Sequence, residues 1–366
     1  MCIFFNNVLL KKNFIYSIIV NINVIEEFKV RKNRKVITIE DEIFNNIIKN
    51  DLIQNNEKIV LGVSGGPDSM CMLDNLRKIK EYKKVDFEII VAHINHMIRK
   101  EANSDEEYVR KYCEKYNIKF YVKKIDVVNF SIKNKIGVEE AGRKIRYDFF
   151  DEVLKSECAN KVAIAHNKND KAETIIMNLL RGCGITGLKG IEVIRSGKYI
   201  RPIINLEREE IERYCEDNFL NPRIDKTNFV NDCTRNKIRN IIIPYIKREF
   251  NPNIVENINR ISKIVSEEDE FMQRYTEKVY NKLLIEDNGN QLILNLKEFN
   301  MQEKVIKKRI IIYSINKILG TTQNIEMVNI EDLIKLCENN IGNKYLKPNK
   351  NIKIMVNRGK IYFESI

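Results

Sequence analysis

The sequence predicts an α/β protein: a parallel twisted sheet with helices on both faces, followed by a mostly helical C-terminal domain ending in a small β hairpin. Three observations carry that expectation. Short β-branched runs alternate with amphipathic helical stretches from residue 58 to about 205, as in parallel sheets whose strands are buried on both faces. A glycine-rich hexapeptide, Ser64-Gly65-Gly66-Pro67-Asp68-Ser69, stands at the first strand-to-helix turn. Past Pro244 and Pro252 the apolar spacing becomes helical, and β-type alternation returns only near the C-terminus.

Lys58–Val63 is the first strand, and the turn after it opens a helix through Tyr82. Phe87–His93 is the second strand. Asn103 or Ser104 is placed to cap the next helix, with Glu106 and Glu107 in its acidic first turn. Ile118–Ile125 is the third strand, Val138–Cys158 a long helix, Lys161–Ala165 the fourth strand, and a helix runs from about Asn169 to Arg181. After Arg201-Pro202 comes an amphipathic helix, Leu206–Phe219, and then a polar, basic segment from Asn221 to Asn240. Prolines 222, 244 and 252 punctuate this region and set a domain boundary near 245–252. Helices follow at about 253–283, 302–319 and 329–339, and Asn351–Val356 and Lys360–Glu364 form strands around the turn Asn357-Arg358-Gly359. The expected organisation is an N-terminal extension and leading helix over 1–50, partly disordered, a first domain over 51–245 and a second over 250–366.

Composition narrows the class. The 366 residues are 43% hydrophobic and 31% charged, which argues against wholesale disorder. A net charge of +12 points to a polyanionic partner, although an AT-rich genome also enriches lysine. The eight cysteines include no Cys-x-x-Cys pair, and His93, His96 and His166 complete no zinc spacing. A disulfide framework is improbable in such a chain, so a reducing cytoplasm is the simpler compartment. The apolar stretch at 1–25 is interrupted by Lys11 and Lys12 and is too short to span a membrane. It reads as a poorly ordered extension or a start codon set too far upstream.

The hexapeptide has the parts of a phosphate cradle. Two glycines let backbone amides approach phosphate oxygens, Ser64 and Ser69 add hydroxyls, and the helix N-terminus adds partial positive charge. Asp68 beside a phosphate calls for a cation between them, and reads as a magnesium contact. Neither the Walker ending nor Gly-x-Gly-x-x-Gly is present, so the glycines alone also fit a plain strand–helix turn. With strand before and helix after, the segment resembles the pyrophosphate loop of the ATP pyrophosphatase (PP-loop) superfamily. That resemblance implies an adenine nucleotide alpha hydrolase-like fold, ATP as substrate, Mg2+, and ATP-binding roles for Ser64, Gly65, Gly66, Pro67, Asp68 and Ser69.

Further segments narrow the likeness: His93–Arg99, Glu139–Tyr147, Ala165–Thr174, Asn178–Gly182, the run 225–228, and Arg235-Asn236-x-Ile238-Arg239. Together they resemble tRNA(Ile)-lysidine synthetase over roughly residues 55–250, with a less specific likeness in Lys344–Phe363. The resemblance implies a C–N-bond-forming ligase. ATP adenylates O2 of the wobble cytidine in an isoleucine tRNA with a CAU anticodon, and L-lysine then attacks C2 and expels AMP. Domain 51–245 would be catalytic and 250–366 tRNA-binding. Longer family members carry a further C-terminal domain, so methionine tRNA would be rejected here mainly through the anticodon region.

The residues suit that chemistry. Glu139, Arg143, Arg146 and Tyr147 share one helix face, while Ala141, Ile145, Phe149 and Val153 supply an apolar face. Arg143 and Arg146 could neutralise charge as AMP leaves, though a solvated Glu–Arg pair has the same pattern. Asp170 and Glu173 lie on one face at a helix start, able to hold magnesium or to bind the lysine ammonium groups; Asp170 stays open between the two. Acidic residues in a first turn also serve simply as dipole complements. In this reading Asp68, Arg143 and Asp170 are catalytic, Asp68 and Asp170 metal-binding, and Asp170 and Glu173 lysine-binding. Arg146, Arg181, Arg235 and Arg239 contact tRNA, the last two within a basic stretch that also holds Arg223, Lys226, Lys237, Lys247 and Arg248.

Asn169 and Lys171 depart from the commoner aspartate and glutamine of the family, and Lys171 is either a surface residue or an added phosphate contact. The histidines read as shaping strand ends, and Cys183 as an ordinary small buried residue. Lys304, Lys307, Lys308 and Arg309 form a second basic face, for RNA or for solubility. A tRNA thiolase of the same superfamily is the alternative function, weakened by the absence of paired cysteines; a nonenzymatic RNA-binding protein on the same fold is a further one. The sequence predicts no membrane segment and leaves the oligomeric state open, a homodimer being one option.

Overall fold

Ile59, Val60 and Leu61 are consecutive and fully buried, which requires a strand covered on both faces. They lie in β1 (Glu57–Gly62), one of six strands with β2 (Phe87–Asn95), β3 (Lys119–Lys124), β4 (Lys161–Ile164), β5 (Ile194–Arg195) and β6 (Tyr199–Ile200). The sheet order is β3-β2-β1-β4-β6-β5. β1 pairs in parallel with β2 (Ile59 opposite Ile89) and with β4 (Ile59 opposite Lys161), and only β5 runs antiparallel. The computed structural model describes residues 38–83, 85–97, 102–223, 230–322, 325–339 and 344–366. The N-terminal extension, the run 225–228 with Lys226, and Ile98 and Arg99 lie outside the described residues.

Alternation sorts the strand side chains onto two layers. Ile59 and Leu61 join Met70, Leu73 and Leu76 of the helix Pro67–Tyr82. Val60 joins Phe149, Phe150 and Val153 of the helix Val138–Ser156. On that second layer Gly62 is needed for close approach, since a Cβ there would stand 2.4 Å from Phe150 Cζ. The helix Ile39–Lys49, capped by Thr38, buries Ile43 and Ile47 in the first layer. Asn46 on that helix donates to the Pro202 carbonyl at 2.8 Å.

Several boundaries differ from expectation. The helix Ala102–Lys115 already contains Asn103 and Ser104, so neither caps it. Asp105 is the acidic residue of the first turn, and Glu106 is a buried partner of Asn95 Nδ2 (3.1 Å) and Lys124 Nζ (3.1 Å). A helix at Val127–Asn134, capped by Asp126, was not foreseen. The basic segment is partly helical: an α-turn Thr234–Lys237, a π-turn Ile238–Ile242 and a helix Ile243–Glu249.

The chain divides into one unit made of residues up to Thr174 with Ile191–Val255, and another made of Ile175–Gly190 with Glu256–Ile366. The leading helix Ile39–Lys49 thus belongs to the first unit, and the boundary falls after Val255. In the second unit the helices Ile254–Leu283, Lys304–Leu319 and Met327–Glu338 correspond to the expected ones. The expected hairpin is present as β10 (Ile352–Asn357) and β11 (Lys360–Ser365), its turn formed by Arg358 (φ 47°) and Gly359 (φ 71°). It lies within a larger antiparallel sheet that also holds β7 (Leu284–Asp287), β8 (Gln291–Asn295) and β9 (Lys344–Asn349), in the order β7-β8-β11-β10-β9. The expected basic face at 304–309 is broken up by ion pairs: Lys307 with Glu338 (2.8 Å), Lys308 with Glu331 (2.9 Å) and Arg309 with Asp269 (2.6 Å). Cys183 is half-buried rather than buried. No helix among the described residues is long and apolar enough to cross a membrane.

Candidate active site

Strand order reverses direction around β1: β2 and β3 lie to one side, β4 and β6 to the other. In open α/β sheets such a switch point leaves a crevice beyond the strand carboxyl ends, where ligands bind. Ser64–Ser69 follows β1, and His166 and Asn167 follow β4, so both segments open onto that crevice. Gly65 adopts φ +88°, a left-handed conformation that favours glycine. Around it the loop converges on Ser69, whose Oγ accepts from the amides of Ser64 (3.1 Å) and Gly65 (3.2 Å) and donates to the Gly66 carbonyl (3.0 Å). The Arg223 amide donates to the Gly65 carbonyl at 2.9 Å and holds the loop from outside. Pro67 and Asp68 begin the helix, where amides have no intrahelical acceptor.

Asn167, fully buried, joins this loop to the next helix. Its Nδ2 donates to Asp68 Oδ1 at 2.8 Å, its Oδ1 accepts from the Asp170 amide at 2.9 Å, and its own amide donates to Asp170 Oδ2 at 3.1 Å. The last two bonds are a reciprocal capping arrangement at the start of the helix Lys168–Leu180. Burial, and next the Asp170 carboxylate, push the Asp68 carboxyl from its ordinary 3.8 up to about 6, against the Asn167 hydrogen bond and the charges of Arg208 and Arg239. The loop carboxylate is thus electrostatically unsatisfied at neutral pH.

Asp170 and Glu173 are 8% and 1% exposed, and arginines cover both. Arg239 binds Glu173 in a fork, Nε to Oε1 at 2.7 Å and Nη2 to Oε2 at 2.8 Å, while Nη2 also reaches Asp170 Oδ1 at 2.9 Å. Arg208 Nη2 lies 3.5 Å from Glu173 Oε1 and 3.8 Å from Asp170 Oδ1. Arg235 donates to Thr174 Oγ1 at 2.8 Å and places its Nε 3.6 Å from Glu173 Oε2. Two of the four arginines expected to face tRNA, Arg235 and Arg239, therefore face the carboxylates.

The other two stand elsewhere. Arg146 is exposed on the helix Val138–Ser156. Arg143 is exposed and lies over the Tyr147 ring at 5.3 Å. Arg181 is exposed in the turn after Leu180, within the second unit. Burial pushes His96 and His166 down to about 4, so both are neutral at physiological pH. His166 Nδ1 accepts from Arg201 Nε at 3.1 Å, and His93 Nδ1 pairs with the Val63 carbonyl at 2.8 Å. Burial thus favours the neutral form of all three rings. Lys171 is half-buried, and burial lowers its proton affinity.

Sequence reasoning missed Asn167, Arg208 and Arg201 as site residues. The spacing Asn167-x-x-Asp170 is a capping signature that could have revealed the first; the arginines carry no local signal.

A parallel sheet with a phosphate-type loop at its switch point defines a class, and the PP-loop domain family matches residues 37–246. The protein is thus a PP-loop, ATP-binding enzyme. Among solved structures, the U34-tRNA thiolase NcsA from Methanococcus maripaludis shares the fold with a TM-score of 0.51 and 22% identity, over 62% of this chain and 78% of that one. The tRNA(Ile)-lysidine synthase of Clostridium acetobutylicum is 44% identical over 322 residues, 88% of this chain and 69% of the relative. Those of Clostridioides difficile and Clostridium tetani are 44% and 43% identical and are covered to 67% and 68% of their lengths. The chain belongs to the tRNA(Ile)-lysidine synthase family, ligases that form C–N bonds.

Proposed function

We propose that the chain joins L-lysine to C2 of the wobble cytidine in an isoleucine tRNA with a CAU anticodon, giving lysidine and AUA decoding. The cytidine O2 attacks the α-phosphorus of ATP and pyrophosphate leaves. The lysine ε-amine, having lost a proton, then attacks C2; the C2–O2 bond breaks and AMP departs with that oxygen. The single observation that carries this reading is the Asn167 bridge, which ties the phosphate-type loop to the paired carboxylates Asp170 and Glu173. One site then has a cradle for the triphosphate and an anionic pocket for an ammonium group.

The roles follow from the chemistry. Ser64, Gly65, Gly66 and Ser69 supply donors to phosphate, Pro67 starts the helix, and the helix N-terminus adds positive potential. Magnesium fits this donor set: Asp68 is a carboxylate that its surroundings leave under-neutralised, with Asp170 the like charge that raises it. Magnesium is commonly held by one or two carboxylates together with the substrate phosphates. Bound there, it would neutralise charge on the departing pyrophosphate. Glu173 and Asp170 take the lysine ammonium groups, and their proximity favours release of the ε-proton. Arg143 faces the charge of the departing AMP. Arg146, Arg181 and the C-terminal part of the chain, 250–366, contact tRNA, with a cytoplasmic location to match.

The reading is tested with purified protein, ATP, magnesium, labelled lysine and unmodified CAU tRNA. Lysine incorporation with AMP release is expected; transfer of cysteine-derived sulfur instead would make the protein a thiolase. Asp68→Ala should abolish AMP formation, whereas Glu173→Ala should raise the lysine KM while adenylation of tRNA persists. Unchanged lysine dependence in Glu173→Ala removes that residue from the lysine site.

A further inference from the structure

We infer that Arg239 occupies the lysine subsite of the free protein and must leave it before lysine binds, so that tRNA binding opens the subsite. The inference rests on the proposed assignment of Asp170 and Glu173 to lysine.

Geometry supplies the first argument. The fork from Arg239 uses both oxygens of Glu173 and one of Asp170, at 2.7, 2.8 and 2.9 Å. These are charge-assisted bonds on a carboxylate only 1% exposed. An alkylammonium group seeks the same oxygens, so guanidinium and substrate exclude each other.

Charge supplies the second. Two carboxylates already face three guanidiniums, those of Arg208, Arg235 and Arg239. A lysine ammonium added to that set meets a net positive site. Once Arg239 is withdrawn the remaining charges balance, and the arriving ammonium replaces the one that left.

Arg239's own backbone supplies the third. It lies in the π-turn Ile238–Ile242, flanked by the α-turn Thr234–Lys237 and the helix Ile243–Glu249. A π-turn holds one residue more than the α-helical ladder on either side, and such turns are rare and frequently found at functional sites. Moving the extra residue along the helix rotates a side chain by roughly 100° about the axis. That motion carries the Arg239 guanidinium off Glu173 without unfolding the segment. A tRNA phosphate, which matches the same planar fork, is the acceptor that draws it away.

The test measures binding of radiolabelled L-lysine to the full chain by equilibrium dialysis, alone, with a non-hydrolysable ATP analogue, and with the analogue plus unmodified CAU tRNA. Lysine should bind at least about tenfold more tightly when tRNA is present, within the usual range of coupling between sites. Arg239→Gln should tighten lysine binding to the RNA-free protein and shrink the effect of tRNA. The wild-type comparison stands even if the variant folds poorly. Equal lysine affinity with and without tRNA, or full affinity with the ATP analogue alone, overturns the inference. If Glu173→Gln still abolishes that binding, the lysine assignment survives. Lysine binding untouched by Glu173→Gln overturns both.

Discussion

Asp68→Asn removes a charge while keeping the shape of the side chain and an oxygen able to accept from Asn167 Nδ2, which lies 2.8 Å from Asp68 Oδ1. The wild-type carboxyl is pushed from 3.8 up to about 6 by burial and by Asp170. An acid whose folded value is raised binds its proton more tightly when folded. Its ionisation therefore costs no stability below about pH 3.8, an increasing amount between there and about 6, and the full amount above. About two pH units at about 1.4 kcal/mol each set a ceiling of roughly 3 kcal/mol. Solvent screening at this half-buried position lowers that to about 1–2 kcal/mol. Asp68→Asn should accordingly melt about 2–6 °C higher than wild type at pH 7.5, with the difference shrinking as pH falls below 6. Magnesium-ATP should raise the wild-type melting temperature and leave that of the variant nearly unchanged. Differential scanning fluorimetry over a pH series reads both effects. A variant that melts lower than wild type at pH 7.5, or that keeps the full magnesium-ATP shift, refutes the electrostatic account of Asp68.

Other positions test the fold that carries the site. Asp74 is buried and accepts from Tyr112 (2.6 Å), Tyr214 (2.7 Å) and Arg77 (2.9 Å), with Lys78 at 3.1 Å. Burial would raise its carboxyl, but these donors outweigh it and hold it at about 2. Its contribution is complete above about pH 3.8 and is lost as pH falls through about 2; Asp74→Ala should cost about 3–5 kcal/mol in urea unfolding at pH 7. Gly62→Ala should cost about 1–3 kcal/mol because the new methyl meets the Phe150 ring, and Phe150→Leu should restore part of that loss. In the second unit, Asp269 pairs with Lys189 (3.2 Å) and Arg309 (2.6 Å). Asp269→Ala should expose the segment Ile175–Gly190 to limited proteolysis, while Asp269→Glu should largely protect it.

What could be read in the sequence was whatever the backbone announces locally. The loop at 64–69 shows itself because β-branched residues, paired glycines and a helix-starting proline occur in an order that one turn geometry explains. The turn at Arg358-Gly359 is legible for the same reason, a short linker between alternating runs. β7 and β8 were missed although Asn288-Gly289 separates them, because Leu284 and Ile285 continue the apolar spacing of the preceding long helix. β9 contains Pro348, which marks an edge strand, and it does lie at the sheet edge. The helix Val127–Asn134 was hidden by its β-branched start, although Asp126 caps it by accepting from the Asn129 amide at 2.9 Å.

The residues gathered at the candidate site were legible only in part, and their pairing not at all. Arg239 and Glu173 are 66 positions apart, and no periodicity encodes their fork. Basic residues near a domain boundary read naturally as RNA contacts, and only the tertiary fold turns two of them toward buried carboxylates.

The most direct measurement is nucleoside mass spectrometry of CAU-anticodon isoleucine tRNA after incubation with this chain, ATP, magnesium and lysine. The account predicts lysidine at the wobble position alone, with one AMP and one pyrophosphate formed for each lysine joined. An unmodified wobble cytidine despite ATP turnover, or a sulfur-containing nucleoside in its place, would contradict it.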